Sequence, residues 1–215
     1  MSPRSKPYAL IGLAIAFGWL PLLSLTGFLT RGIADVNSDI RDICAKWLVV
    51  AVLCVIAFAG EQLSPRELGI RPLGWRDALL AVAGAILALF LSGAASRLVT
   101  IPASLDLHRV AAIPLGVRIA LVLTAAFCEE FIYRAFAIEG IALLTRSRWL
   151  AGLLSAVFFT LSHAGLYGLS PALILPGMVA AVLTLLYLWR RNLAGCVLMH
   201  ATVDGLLIVV LPLLV

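Results

Sequence analysis

Apolar runs of roughly 20 residues, the length a helix needs to cross a bilayer, recur along nearly the whole of this chain. They fall at about 8–29, 47–60, 78–98, 115–144, 149–163, 172–189 and 193–215. Short polar or Gly/Pro-bearing stretches separate them, such as 61–77 with Pro65, Gly69, Pro72 and Gly74. Of the 215 residues, 63% are hydrophobic and 13% charged, against about 45–50% and 25% in soluble domains. Such a chain cannot surround its own core with a solvated surface. An ordinary cytosolic enzyme, a disordered chain and a nucleic-acid-binding domain are thereby excluded. The expected fold is all-α: a single integral-membrane domain over 1–215, a polytopic helical bundle of about seven spans, with eight as the alternative, around a polar intramembrane cavity.

The net charge of +5 needs no anionic partner, because membrane proteins keep Lys and Arg in cytoplasmic loops. With seven spans, one side collects Arg4, Lys6, Arg66, Arg71, Arg76, Arg146, Arg148, Arg190 and Arg191. The other collects Arg31, Arg41, Lys46, Arg97, Arg109 and Arg118. That excess places the amino terminus in the cytoplasm, and the expected location is a prokaryotic plasma membrane. The first run is longer than the 7–15-residue core of a signal peptide, so it reads as a retained first helix or signal anchor. Cys44, Cys54, Cys128 and Cys196 form no C-x-x-C pair and read as small buried hydrophobes rather than disulfides or metal ligands.

Ionisable side chains inside spans cost about 2.5–3.5 kcal/mol each on insertion scales, so each calls for a partner or a function. Three clusters stand out in 115–215: C-E-E-F-I-Y-R ending at Arg134, F-T-L-S-H ending at His163, and H-A-T-V-D ending at Asp204. Glu130 and Arg134 are spaced i, i+4 with the acid first, which suits an ion pair along one helix face. Glu129 is rotated about 100° from Glu130 and faces elsewhere. Phe159 lies one turn before His163, and His200 one turn before Asp204. Three helices can thus bring Glu129, His163, His200 and Asp204 to one cavity.

This set suits peptide-bond hydrolysis. A carboxylate can act as general base on water, a histidine can share or pass on its proton, and a second imidazole can donate to the oxyanion. The same four side chains are acceptable zinc ligands, although no H-E-x-x-H is present. No serine lies in a G-x-S-x-G nucleophile context.

E-E-x-x-x-R at 129–134, F-x-x-x-H at 159–163 and H-x-x-x-D at 200–204, in this order, resemble the CPBP family of CaaX proteases and bacteriocin-processing or immunity proteins, also called Abi. The family includes the eukaryotic Ras-converting CaaX endopeptidase. The resemblance covers 129–204 and implies an intramembrane endopeptidase with a conical bundle around a polar cavity. It implies that Glu129 and His163 activate water and that His200 and Asp204 stabilise the oxyanion, with Glu130 and Arg134 in support. Both metalloprotease and metal-independent glutamic-protease descriptions exist for the family. The reading favours no cofactor, with zinc or another divalent metal on Glu129, His163, His200 and Asp204 as the alternative. The last position is often Asn in the family, so Asp204 here either is protonated, orients His200 or binds a metal.

The implied partners are the lipid bilayer and a membrane-delivered protein, lipidated, helical or signal-like, cut near a terminus. Two other functions compete: a non-catalytic scaffold or immunity protein of the same fold, and a small transporter with a proton-relay carboxylate. Taken singly, the clusters also have plainer readings. These are a structural Glu130–Arg134 ion pair, a helix-end His163, and a local His200–Asp204 hydrogen bond. Glu139 and Arg118 read as span-end or loop charges, and Trp47, Trp75, Trp149 and Trp189 as interfacial anchors. Straight helices would leave His163 and His200 at different depths.

Overall fold

The computed structural model describes residues 6–29, 38–102 and 106–214, with the side chains of 20–29 and 38–39 outside the description. Arg4 and Arg31 fall outside it. The described residues are helical, with no strand among them. The longer helices are α1 (Lys6–Leu29), α2 (Ser38–Val55) and α3 (Trp75–Ala95), then α7 (Arg148–Ser162), α9 (Ile174–Arg190) and α10 (Leu193–Asp204). Shorter ones are α4 (Leu107–Ala111), α5 (Leu115–Thr124), α6 (Glu139–Thr145) and α8 (Ala164–Tyr167). Helical turns carry α2 on to Gly60 and α10 on to Leu213.

All seven apolar runs are helical, but the expected count of seven or eight spans is not reproduced. Among the described residues four helical stretches are long and apolar enough to cross a membrane: Ile40–Gly60, Trp75–Leu98, Pro171–Arg190 and Leu193–Leu213. The side chains of 20–29 lie outside the description, which leaves the first run uncounted; the other two shortfalls are physical. At 15 residues, α7 is about 22 Å long, short of a hydrocarbon core of about 30 Å. The stretch from Leu115 to Thr145 is long enough, yet it carries the Glu129, Glu130, Arg134 and Glu139 charges in its middle.

That stretch is the centre of the bundle. Between α5 and α6 it widens into π turns at Ala125–Glu129 and Phe131–Ile138, and all 8 residues of the latter are buried. A helix enclosed on every side can present polar groups to several neighbours at once. π turns are rare, frequently mark functional sites, and change which faces successive residues occupy. Ser155 of α7 ties the helix in, donating to the Tyr133 carbonyl at 2.5 Å.

Small residues let the outer helices approach closely, as membrane helix pairs require. Ala81, Ala85 and Ala88 form a buried stripe on α3, which packs on α9 and α10. A Cβ on Gly152 of α7 would lie 2.8 Å from Leu188 of α9, so that crossing admits only glycine without movement. Chain direction alternates through these helices, so the α2–α3, α6–α7 and α9–α10 connections meet at one end. There the Leu193 amide donates to the Gly69 carbonyl at 2.8 Å. Gly69 is itself in the left-handed region, φ 70°, against Tyr187.

Trp75, Trp149 and Trp189 are mostly exposed, as anchoring side chains would be. Trp47 does more than anchor: it donates to Thr124 at 3.2 Å and stacks on Phe127. Cys128 and Cys196 are buried as expected, but Cys44 is exposed and Cys54 half-buried; all four are free thiols.

Candidate active site

The i, i+4 pair on the central helix forms as its spacing predicts: Arg134 donates to Glu130 Oε1 at 2.9 Å, and both side chains are fully buried. The same oxygen accepts from His200 Nδ1 at 2.8 Å, a contact between residues far apart in sequence. On the other ring nitrogen, His200 Nε2 lies 3.3 Å from Asp204 Oδ2. The imidazole of α10 is therefore held between two carboxylates, one on its own helix and one on the central helix.

Phe159 of α7 is the hub around which these groups turn. The Arg134 guanidinium sits 4.3 Å over its ring, a cation–π contact strengthened by the dry surroundings. The Tyr133 ring packs edge-on at 5.3 Å, His163 lies at 4.8 Å and His200 at 5.9 Å. The difference in depth between the two histidines is bridged in this way. His163 ends α7, and Phe159, one turn further in, fills the space to His200.

His163 has a defined tautomer. Its Nδ1 lies 2.9 Å from the Phe159 carbonyl, and a carbonyl can only accept, so Nδ1 carries the proton. Beside His163 stands Tyr167 of α8, in the segment between spans. Burial first, and the Asp204 carboxylate second, push its phenol above the usual range, so Tyr167 remains a neutral hydroxyl.

Glu129 points away from Glu130, as the 100° rotation predicts, and meets a partner that sequence reasoning missed. Lys46 Nζ of α2 is 2.9 Å from Glu129 Oε1 and 2.9 Å from Asp42 Oδ2. The second oxygen, Glu129 Oε2, is buried without a hydrogen-bond partner, as is Glu130 Oε2. The missed signal was the i, i+4 spacing of Asp42 and Lys46 at the start of a helix. Beginning the second span at Trp47 had left Lys46 in a loop. Arg118 is likewise no loop charge: it is buried and donates to the Ile208 and Val209 carbonyls at 3.3 and 3.5 Å. Glu139 joins three helix ends, accepting from Arg148 at 2.8 Å, Arg191 at 2.9 Å and Tyr187 at 3.2 Å.

Not every expected partnership forms. No hydrogen bond joins Glu129 to His163; each sits near the other only electrostatically. Nor do Glu129, His163, His200 and Asp204 gather as a ligand shell. Among the described residues no group of three or more His, Cys, Asp or Glu side chains could hold a metal ion. As placed, Glu129 is held by Lys46 and His200 by Glu130.

Carboxylates, imidazoles and a guanidinium enclosed by apolar helices define the class: an integral membrane protein with a polar site inside the bundle. Residues 111–206 match the family model described as type II CAAX prenyl endopeptidase Rce1-like. The three motifs fall within that segment, which is similar to the Rce1-like proteases of the CPBP family and contains every site residue named from the sequence. The family is one of proteases, so peptide-bond hydrolysis on a membrane-associated protein is the activity it suggests at family level. No curated protein and no solved structure matches the chain.

Proposed function

We propose that the protein is an intramembrane endopeptidase in which Glu129 and His163 activate water and His200 and Asp204 stabilise the oxyanion. The observation that carries the reading is the state of Glu129: one oxygen held by Lys46, the other buried and unpartnered. An unsatisfied buried oxygen costs about 1–3 kcal/mol or more for a charged group. Its persistence suits a group whose partner arrives with the reaction.

In this mechanism Glu129 Oε2 takes a proton from water as the water oxygen adds to the scissile carbonyl carbon. His163 Nε2, on the ring edge opposite the Nδ1 contact, shares that proton. The carbonyl oxygen becomes an oxyanion, towards which Nε2–H of His200, in its imidazolium form with Nδ1–H on Glu130, turns from its long contact with Asp204. The oxyanion then collapses, the C–N bond breaks, and the stored proton passes to the leaving amine. Glu130 and Arg134 hold His200 and Phe159 in register, and Lys46 keeps Glu129 oriented. Asp204 takes the second of its three possible roles and orients His200. No step is routed through a metal. The apolar bundle favours a substrate delivered by the membrane, such as a lipidated, helical or signal-like segment cut near a terminus. Prenylated CaaX proteins, after which the family is named, are one such class.

The test is terminal-peptide mass spectrometry on host membranes carrying the wild type or Glu129→Gln at equal abundance. New peptide ends present only with the wild type are the expected result, and they name the substrate. Identical peptide maps from two folded proteins would overturn the proposal in favour of a scaffold or immunity role.

A further inference from the structure

A second concavity lies away from the polar site, on the outer face of the bundle between α3, α7 and α9. It is about 690 Å³ in volume and almost wholly apolar, lined by Leu80, Leu87, Val182 and Leu185 among others. Its rim is of a different chemistry: Arg148, Trp149 and Trp189. Both indoles are about 70% exposed (71% and 68%). They stand beside the end where Arg71, Arg76, Arg146, Arg148, Arg190 and Arg191 collect.

Charge at that rim is unbalanced. Glu139 is the one carboxylate paired with both Arg148 and Arg191, and Asp77 is paired with Arg190. Three guanidiniums thus share two carboxylates. The Arg148 side chain is 40% exposed, so one face of it is open at the groove mouth. The Arg190 guanidinium lies 5.9 Å from the Trp189 ring, which holds positive charge against the indole at the rim.

We infer that this groove binds an anionic glycerophospholipid, an acyl chain lying along α3 and α9 and the phosphate on Arg148, with Trp149 and Trp189 at headgroup level. Amphipathic indoles settle at the headgroup boundary, and basic pockets between transmembrane helices take anionic headgroups. A neutral lipid would fill the apolar part equally well but leave the surplus charge unanswered. The chemistry of the rim is what selects the occupant.

Native mass spectrometry of the full chain from detergent tests this, with phosphatidylglycerol and phosphatidylcholine of the same acyl chains added at equal concentration. The wild type is expected to retain phosphatidylglycerol about fivefold better. Arg148→Gln is expected to bring retention of the two lipids level. Because Arg148 also pairs with Glu139, Leu185→Trp serves as the second variant: Leu185 is 55% exposed, and an indole there fills the groove without touching the ion pairs. It is expected to lose both lipids while thermal unfolding stays at the wild-type temperature. Equal retention of the two lipids by the wild type would overturn the inference. So would retention by Leu185→Trp equal to the wild type, or displacement of phosphatidylglycerol from the groove by a prenylated peptide, which would reassign it to the substrate's lipid.

Discussion

The two ends of the bundle both hold charged side chains, and they hold them differently. At the end where the α2–α3, α6–α7 and α9–α10 connections meet, both oxygens of Asp77 have partners. Asp77 accepts from Arg190 at 2.7 Å and Asn192 at 3.0 Å. Asn192 also caps α10 through the Ala194 amide and donates to the Pro72 carbonyl. Arg71 donates to the carbonyls of Arg190 and Arg191, which end α9, as suits cations at a helix C-terminus. Towards the middle, Glu129 Oε2, Glu130 Oε2 and Arg134 Nε are buried with no partner. The comparison teaches that charge inside a membrane protein does not by itself mark a site. What separates Asp77 from Glu129 and Glu130 is an oxygen left unanswered.

Substitutions that remove one charge from each region should therefore diverge. Glu129→Gln is expected to lower the rate of peptide cleavage by about 10²–10⁴-fold, the usual contribution of a positioned base, with little change in thermal unfolding. Arg134→Met, which leaves Glu130 buried beside His200 without its cation, is expected to cost about 3–5 kcal/mol of stability, read by unfolding in detergent. His200→Gln should lower cleavage about 10²–10³-fold, the scale of a lost oxyanion donor, measured on the same peptide ends. Asp77→Asn, in the satisfied region, should cost about 1–2 kcal/mol in stability and leave cleavage unchanged. The smallest effect expected is that of a chelator: cleavage by the purified protein should survive it. Loss on chelation and recovery with zinc would break the metal-free account.

What was legible in the sequence follows the range of each interaction. Helix-local pairs, Glu130 with Arg134 and His200 with Asp204, are fixed by a spacing of four residues, so each could be read directly. The seven apolar runs were legible as helices because bilayer length and composition set them. Contacts between helices were not. Nothing in the spacing joins Glu130 to His200, or Lys46 to Glu129, since those depend on how α2 and α10 pack on the central helix. The span count is not confirmed for a related reason: a stretch enclosed by its own neighbours, such as Phe131–Ile138, needs no lipid and so need not behave as a simple span. The π turns carry no pattern that an i, i+4 reading detects.

The central claim, that Glu129 is kept unsatisfied for chemistry rather than for the fold, is tested most directly by measuring unfolding temperature and cleavage together in Glu129→Gln. The account predicts an unfolding temperature equal to or above that of the wild type, because Lys46 keeps its ion pair with Asp42 and an uncharged amide is cheaper to bury, with cleavage lost. A lowered unfolding temperature with cleavage retained would contradict it and make the Lys46–Glu129 pair a strut of the bundle.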